Sequence, residues 1–469
     1  MHKIILNMSY DLLVLGSGPG GYVAAIRASQ LGMKVGIIEK ENLGGICLNW
    51  GCIPTKALLK SAQVYDYLKH VDQYGLKAEA IDKDFSAVVA RSRGVAEGMS
   101  KGVAFLMKKN NIEVIQGFGK LLPNHQIEVT SQEGIKNTFQ AKNIIIATGA
   151  RARQLPAMPI DGKKIIGYRQ AMTLTEQPKS MIVVGSGAIG TEFAFFYNSL
   201  GTEVTLVEYF PDIVPLEDAD VSAQLARSFR KAKMKLMTES EVISVDTSGD
   251  GVKAVVKTKK GEEVLEADVL LSAVGIKTNI ENIGLEEVGI MTDRDKILVN
   301  PYYETNVKGY FAIGDVVPGQ ALAHVASAEG ILCVEHIAGM EVHPIDYGNI
   351  PACTYAQPEI ASVGMTEKQC VEKGLEIKIG KFPFTASGKA KAAGTPDGFV
   401  KVIFDAKYGE LLGCHMIGSG VTDMIAEAVL ARKMEVTGHE ILKTVHPHPT
   451  MSEAFMEAVA AAYDEVIHL

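Results

Sequence analysis

The chain has 469 residues, 47% of them hydrophobic, and a formal net charge of −8; that length predicts about three domains with full-sized cores. The acidic balance, with no basic stripe, argues against a nucleic-acid or membrane-surface partner, and apolar runs such as "DLLVLG" and "NIIIATG" are too short to span a bilayer. Apart from one close pair, the cysteines (Cys333, Cys353, Cys370 and Cys414) are scattered, and without a secretory leader they do not frame a secreted module, so a reducing, cytoplasmic location is expected.

Met8 precedes "SYDLLVLG", which leaves Met1 to Asn7 as a short extension or an upstream start. From Tyr10 to Lys40 the pattern is an apolar strand, a glycine-rich turn, a helix and a second apolar strand ending in glutamate. Gly16 permits the tight turn, Gly18 lets the backbone approach a pyrophosphate, and Gly21 allows close helix–strand packing. The helix N-terminus offers N–H groups and partial positive charge to phosphates, and Glu39 can accept hydrogen bonds from a ribose diol.

Next comes "GGICLNWGCIPTKALL", with Cys47 and Cys52 five residues apart. In a regular helix such residues are about 140° apart and their Cα atoms lie roughly 8.6 Å apart, whereas a disulfide needs Cα atoms about 4.4–6.8 Å apart. A bridge therefore requires a distorted turn, for which Gly51 and Pro54 are suited. So short a loop adds little stability and strain eases reduction, which fits a redox pair better than a staple. Two buried thiols are the plain alternative. A zinc site would want two further ligands at recognisable spacing, and none is nearby.

"IIIATGA", containing Thr148 and Gly149, reads as the strand that closes this first unit. A second copy follows from Ser180 to Phe210, and 185 − 16, 187 − 18, 190 − 21 and 208 − 39 all equal 169. Gly185, Gly187, Gly190 and Glu208 thus repeat the first set, and two dinucleotides are predicted. Glu208 is followed by Tyr209, Phe210 and Pro211 with no arginine nearby, which favours NAD over NADP. "LLSAVGIK", with Gly275, closes the second copy, and "GYFAIGDV" is a further strand ending in Gly314 and Asp315. The chain is expected to leave the first domain near Gly149 and return near Ile276. Beyond about Tyr347, "FVKVIFDAKYGELLGCHMIG" and two helical stretches predict a separate α+β domain with no nucleotide fingerprint.

A redox disulfide needs a base to generate the attacking thiolate. "VHPHPTMSEAF" places His448 before Pro449 and five residues ahead of Glu453, which could orient the imidazole from its other nitrogen. A surface His-Pro turn or an incidental metal site would read the same way.

At these residues, nearly end to end, the sequence resembles the flavin-dependent pyridine nucleotide–disulfide oxidoreductases, and within them the branch that oxidises dihydrolipoamide. The resemblance implies an α/β protein with two Rossmann-like dinucleotide-binding domains, for FAD and NAD, plus a C-terminal α+β dimerisation domain. Residues 1–149 and 276–346 would form the FAD and central parts, 150–275 the NAD domain, and 347–469 the dimer interface. It implies FAD on Gly16, Gly18, Gly21, Glu39, Lys56, Thr148, Gly149, Gly314, Asp315 and Ala323, and NAD on Gly185, Gly187, Gly190, Glu208 and Gly275. Cys47 would meet substrate and Cys52 the flavin, Lys56 would pair with Glu192, and His448 and Glu453 would act from the second subunit of a homodimer. The implied partners are lipoyl domains of 2-oxoacid dehydrogenase complexes or the glycine-cleavage H protein. Reductases of other small disulfides, and a non-catalytic FAD-binding assembly subunit, are the alternatives. Pro447 stands where many members have alanine.

Overall fold

Long apolar runs with little alternation suit parallel strands covered on both faces, and the chain uses them twice. The computed structural model describes residues 5–469, with side chains from Ser9 onward; Met1 to Ile4 of the leading extension lie outside the described residues. In the first sheet the strand Ile5–Leu15 lies between Val35–Glu39 and Lys136–Ile146, all parallel. Glu113–Gln116 extends one side and Tyr310–Ala312 the other. Leu12, Leu13 and Val14 are wholly buried, as a two-faced strand requires. The first half of Lys136–Ile146 also carries an antiparallel arm, Phe118–Leu122 and Gln126–Thr130. Behind the sheet, helices Pro19–Gln30 and Ala323–Ile337 approach closely, since a Cβ on Gly330 would lie 2.7 Å from the Gly20 carbonyl oxygen.

The second sheet repeats this order with Lys235–Met237, Glu203–Val207, Ser180–Val184, Val269–Ser272 and Ile165–Ile166, again all parallel. Its own antiparallel insert is Glu241–Asp246, Val252–Thr258 and Gly261–Ala267. The two connecting passages, Ala150–Ala152 and Ile276–Thr278, pair antiparallel with each other.

The last sheet is antiparallel, in the order Ala352–Thr354, Glu359–Gly364, Leu411–Gly418, Phe399–Asp405 and Ile377–Pro383. Helices Val421–Lys433 and Glu453–Ala462 cover it, and Phe382, Phe404, Met416, Ile425, Phe455 and Val459 fill the core between.

The chain gathers into two compact units. One is Met1–Ala57, Val89–Arg153 and Ile276–Ile345; the other is Leu58–Val88, Gln154–Gly275 and Asp346–Leu469.

Candidate active site

Each parallel sheet ends in the same small construction. In the first unit a Cβ on Gly21 would fall 1.9 Å from the Gly16 carbonyl oxygen, so helix and turn can close only without a side chain. In the second unit a Cβ on Gly190 would fall 1.9 Å from the Gly185 carbonyl oxygen. Gly18 and Gly187, by contrast, face open space at the helix N-termini. Bare backbone, unpaired helix-end N–H groups and room in front of them fit a pyrophosphate.

Both acidic residues are buried and held by a serine. Ser17 donates its hydroxyl (2.6 Å) and its N–H (3.0 Å) to Glu39 Oε2, and the Glu41 N–H donates to Oε1 at 2.8 Å. Ser186 donates its hydroxyl (2.5 Å) and N–H (2.8 Å) to Glu208 Oε2, and the Phe210 N–H reaches Oε1 at 2.9 Å. The serines went unnoticed in the sequence, although 186 − 17 gives the same offset of 169.

Around the first cradle, Thr148 donates its hydroxyl to the Asn279 carbonyl at 2.8 Å, and the Asn279 N–H reaches the Gly149 carbonyl at 2.8 Å. Gly314 and Asp315 form a tight turn whose Gly314 N–H donates to buried Glu329 at 2.6 Å. Burial raises the Asp315 carboxyl above its ordinary value, against the pull of Lys296. Ala323 opens its helix. In the second unit Gly275 turns the chain at φ 102°.

The cysteine helix is built onto the first cradle. Gly44 donates its N–H to the Ser17 carbonyl at 3.0 Å, and a Cβ on Gly45 would fall 2.6 Å from Gly18 Cα. Cys47 lies in helix Gly45–Asn49, Trp50 ends that helix at φ −139°, and Cys52 begins helix Cys52–Lys69. The two cysteines therefore do not share a regular helix. Pro54 sits in the first turn, where its missing N–H costs nothing. Three successive residues of helix Phe85–Lys109 pin this break. Arg91 donates to the Ala57 carbonyl (2.7 Å), Ser92 to the Pro54 carbonyl (2.9 Å), and Arg93 to the Asn49 carbonyl. The Arg93 guanidinium also stacks 4.5 Å from the Trp50 ring centroid. Their acceptors are backbone carbonyls, which leave no mark in a sequence.

The pair is present as two thiols in side-chain hydrogen-bond contact, Cys47 half-buried and Cys52 exposed. That hydrogen bond, then burial, pushes Cys47 up; nearby Lys56 pulls the other way. Cys52 stands at the positive end of an 18-residue helix, a position that favours negative charge.

In the second unit Glu192 is buried in helix Ala188–Ser199 and accepts the Tyr355 N–H at 3.0 Å. His448 and Glu453 do meet: His448 Nδ1 lies 2.8 Å from Glu453 Oε1, and the Thr450 N–H donates to Oε2 at 2.8 Å. Burial would raise the Glu453 carboxyl, but the Thr450 N–H and His448 outweigh it and hold it below its ordinary value. With Nδ1 as donor, Nε2 is the basic nitrogen, on a side chain 79% exposed. The neighbouring His446 is buried against Glu427 at 2.7 Å. Among the described residues no helix is long and apolar enough to cross a membrane.

The pyridine nucleotide-disulphide oxidoreductase profile matches residues 10–330, and the dimerisation domain of the same family matches residues 350–459, which indicates a homodimer. The dihydrolipoyl dehydrogenase of Zymomonas mobilis is 50% identical over 461 residues, covering 98% of this chain and 99% of that one. The dihydrolipoyl dehydrogenase of Rhizobium etli is 49% identical with the same coverage, and Arabidopsis thaliana mitochondrial dihydrolipoyl dehydrogenase 2 is 44% identical over 98% and 91%. The crystal structure of LpdA from Mycobacterium tuberculosis matches with a TM-score of 0.90 at 28% identity, over 96% of this chain and 98% of that one. The HOCl-induced flavoprotein disulfide reductase RclA of Escherichia coli shares the fold, with a TM-score of 0.85 at 24% identity over 96% and 99%.

Proposed function

The chain belongs to the pyridine nucleotide–disulphide oxidoreductases, and on that premise we propose that it oxidises dihydrolipoamide to lipoamide with reduction of NAD⁺. The observation that carries this reading is the thiol helix seated on the first of two like cradles, Gly45 against Gly18. Gly16, Gly18, Gly21, Glu39, Lys56, Thr148, Gly149, Gly314, Asp315 and Ala323 hold FAD; Gly185, Gly187, Gly190, Glu208 and Gly275 hold NAD. FAD bound there would supply the two-electron redox chemistry between the reduced cysteine pair and NAD⁺.

The chain's own residues do the rest. His448, its Nδ1 held by Glu453, takes the proton of a substrate thiol on Nε2. The substrate thiolate attacks Cys47 of the oxidised pair; the Cys47–Cys52 bond breaks and the electron pair stays on Cys52. The second substrate thiol then attacks the lipoyl sulfur bound to Cys47 and closes the lipoamide disulfide, its proton passing to the leaving Cys47 thiolate while His448 keeps the first proton and Cys52 the negative charge. The helix end at Cys52 favours the charge left there. Lys56 pairs with Glu192, and His448 and Glu453 serve the thiol pair of the partner subunit. The dithiol arrives on lipoyl domains of 2-oxoacid dehydrogenase complexes or on the glycine-cleavage H protein, in the cytoplasm.

The test is relative turnover of dihydrolipoamide, glutathione and coenzyme A with NAD⁺ and NADP⁺. Dihydrolipoamide with NAD⁺ should dominate; a faster rate with another thiol, or with NADP⁺, would reassign the substrate or the nucleotide.

A further inference from the structure

We propose that Ser186 is a positioning residue that sets NAD over NADP selectivity by holding Glu208 in one orientation. This deepens the assignment of NAD to the second cradle and rests on it.

Ser186 is wholly buried, and every polar atom it has is engaged. Its hydroxyl and N–H both donate to Glu208 Oε2, the hydroxyl also accepts the Val214 N–H at 3.1 Å, and its carbonyl accepts the Thr191 hydroxyl at 2.9 Å. A carboxylate oxygen has about two acceptor positions. Oε2 is therefore filled by the protein, while Oε1 gives one position to the Phe210 N–H and keeps one. That last position suits a ribose hydroxyl, which has a proton to donate. A 2′-phosphate has none to spare and brings about −1.5 to −2 of charge against the carboxylate. Glu208 can enforce that repulsion only if it cannot swing aside, and the serine clasp removes that freedom.

The first cradle supplies an independent instance. Ser17 clasps Glu39 through the same two donors, and its hydroxyl accepts the Gly44 N–H at 3.2 Å. Orientation of the acidic residue is thus what the serine does in both places. Discrimination is its consequence where a phosphorylated competitor exists.

The experiment titrates NADH and NADPH by nucleotide fluorescence onto the FAD-loaded protein fully reduced with dithionite, so that neither nucleotide is oxidised, with no dithiol present. The result is therefore independent of whether dihydrolipoamide is the substrate. Ser186→Ala should lower the NADH-over-NADPH affinity ratio about tenfold, the effect of one hydrogen bond to a charged group. In a Glu208→Gln background the same change should move the ratio less than twofold, because the serine acts through the carboxylate. Equal weakening of both nucleotides, or an undiminished effect in the Glu208→Gln background, would overturn the proposal. Ser186→Gly also lacks the hydroxyl and replaces the alanine variant should that one fail to retain flavin.

Discussion

The two cradles are built alike from the first glycine to the clasped glutamate, and they part company just beyond it. In the first, the residue whose N–H closes the clasp is Gly44, at φ 95°, and Gly45 follows to start the cysteine helix. In the second, the same duty falls to Val214, at φ 44°, with exposed Tyr209 and Phe210 in the turn before it. A β-branched residue in that region is strained, so the contact is worth its cost there. The proposed nucleotide sites thus rest on what the copies share. The proposed redox chemistry needs what only the first copy carries, together with His448 from outside both cradles.

The sharpest break is Cys47→Ser, which should abolish dithiol turnover while the flavin spectrum stays intact; surviving turnover would contradict the exchange step. His448→Gln tests the group that belongs to neither cradle. It should slow dithiol oxidation by about two to four orders of magnitude in single-turnover kinetics, and a near-normal rate would place the base elsewhere. Next come the matched glycines. Gly21→Ala should cost the protein its FAD, read as flavin per chain, whereas Gly190→Ala should keep the flavin and weaken NADH at least about tenfold. Flavin loss from both, or from neither, would break the parallel. The smallest effects belong to the diverging residue. Gly44→Ala places a Cβ 2.6 Å from Leu48 and should destabilise by about 1–3 kcal/mol. Val214→Gly trades relief of strain against greater freedom in the unfolded chain and should stay within about 1 kcal/mol of the parent in denaturant melts.

The duplicated sheets were legible because nucleotide chemistry demands particular residue types at fixed offsets. Glycines that no side chain can replace, and a glutamate one strand later, stand out in any sequence. Ile165–Ile166 was not legible as the fifth strand, since two residues carry no periodicity. The spacing of Cys47 and Cys52 ruled out a regular helix for a bridged pair, and the break falls at Trp50 and Gly51. What holds the break, Arg91 to Arg93, was hidden because its targets are main-chain carbonyls. Glu453 was recognisable beside His448, yet the Thr450 N–H that fixes its second oxygen has no side-chain signature. Ser17 and Ser186 were visible only as a coincidence of numbering, for serine is common in turns.

The edge strand Tyr310–Ala312 sets an order of biosynthesis. It completes the first sheet, yet it lies 164 positions beyond Ile146, the end of the strand it pairs with, since 310 − 146 = 164. The second sheet is complete at Ser272. At about 5–20 residues per second, the first-made nucleotide domain waits roughly 10–30 s with one parallel edge open. Of the two nucleotide domains, the one begun first is finished second, and a nascent chain halted between Ser272 and Tyr310 would expose the Ile144–Ile146 edge to mispairing.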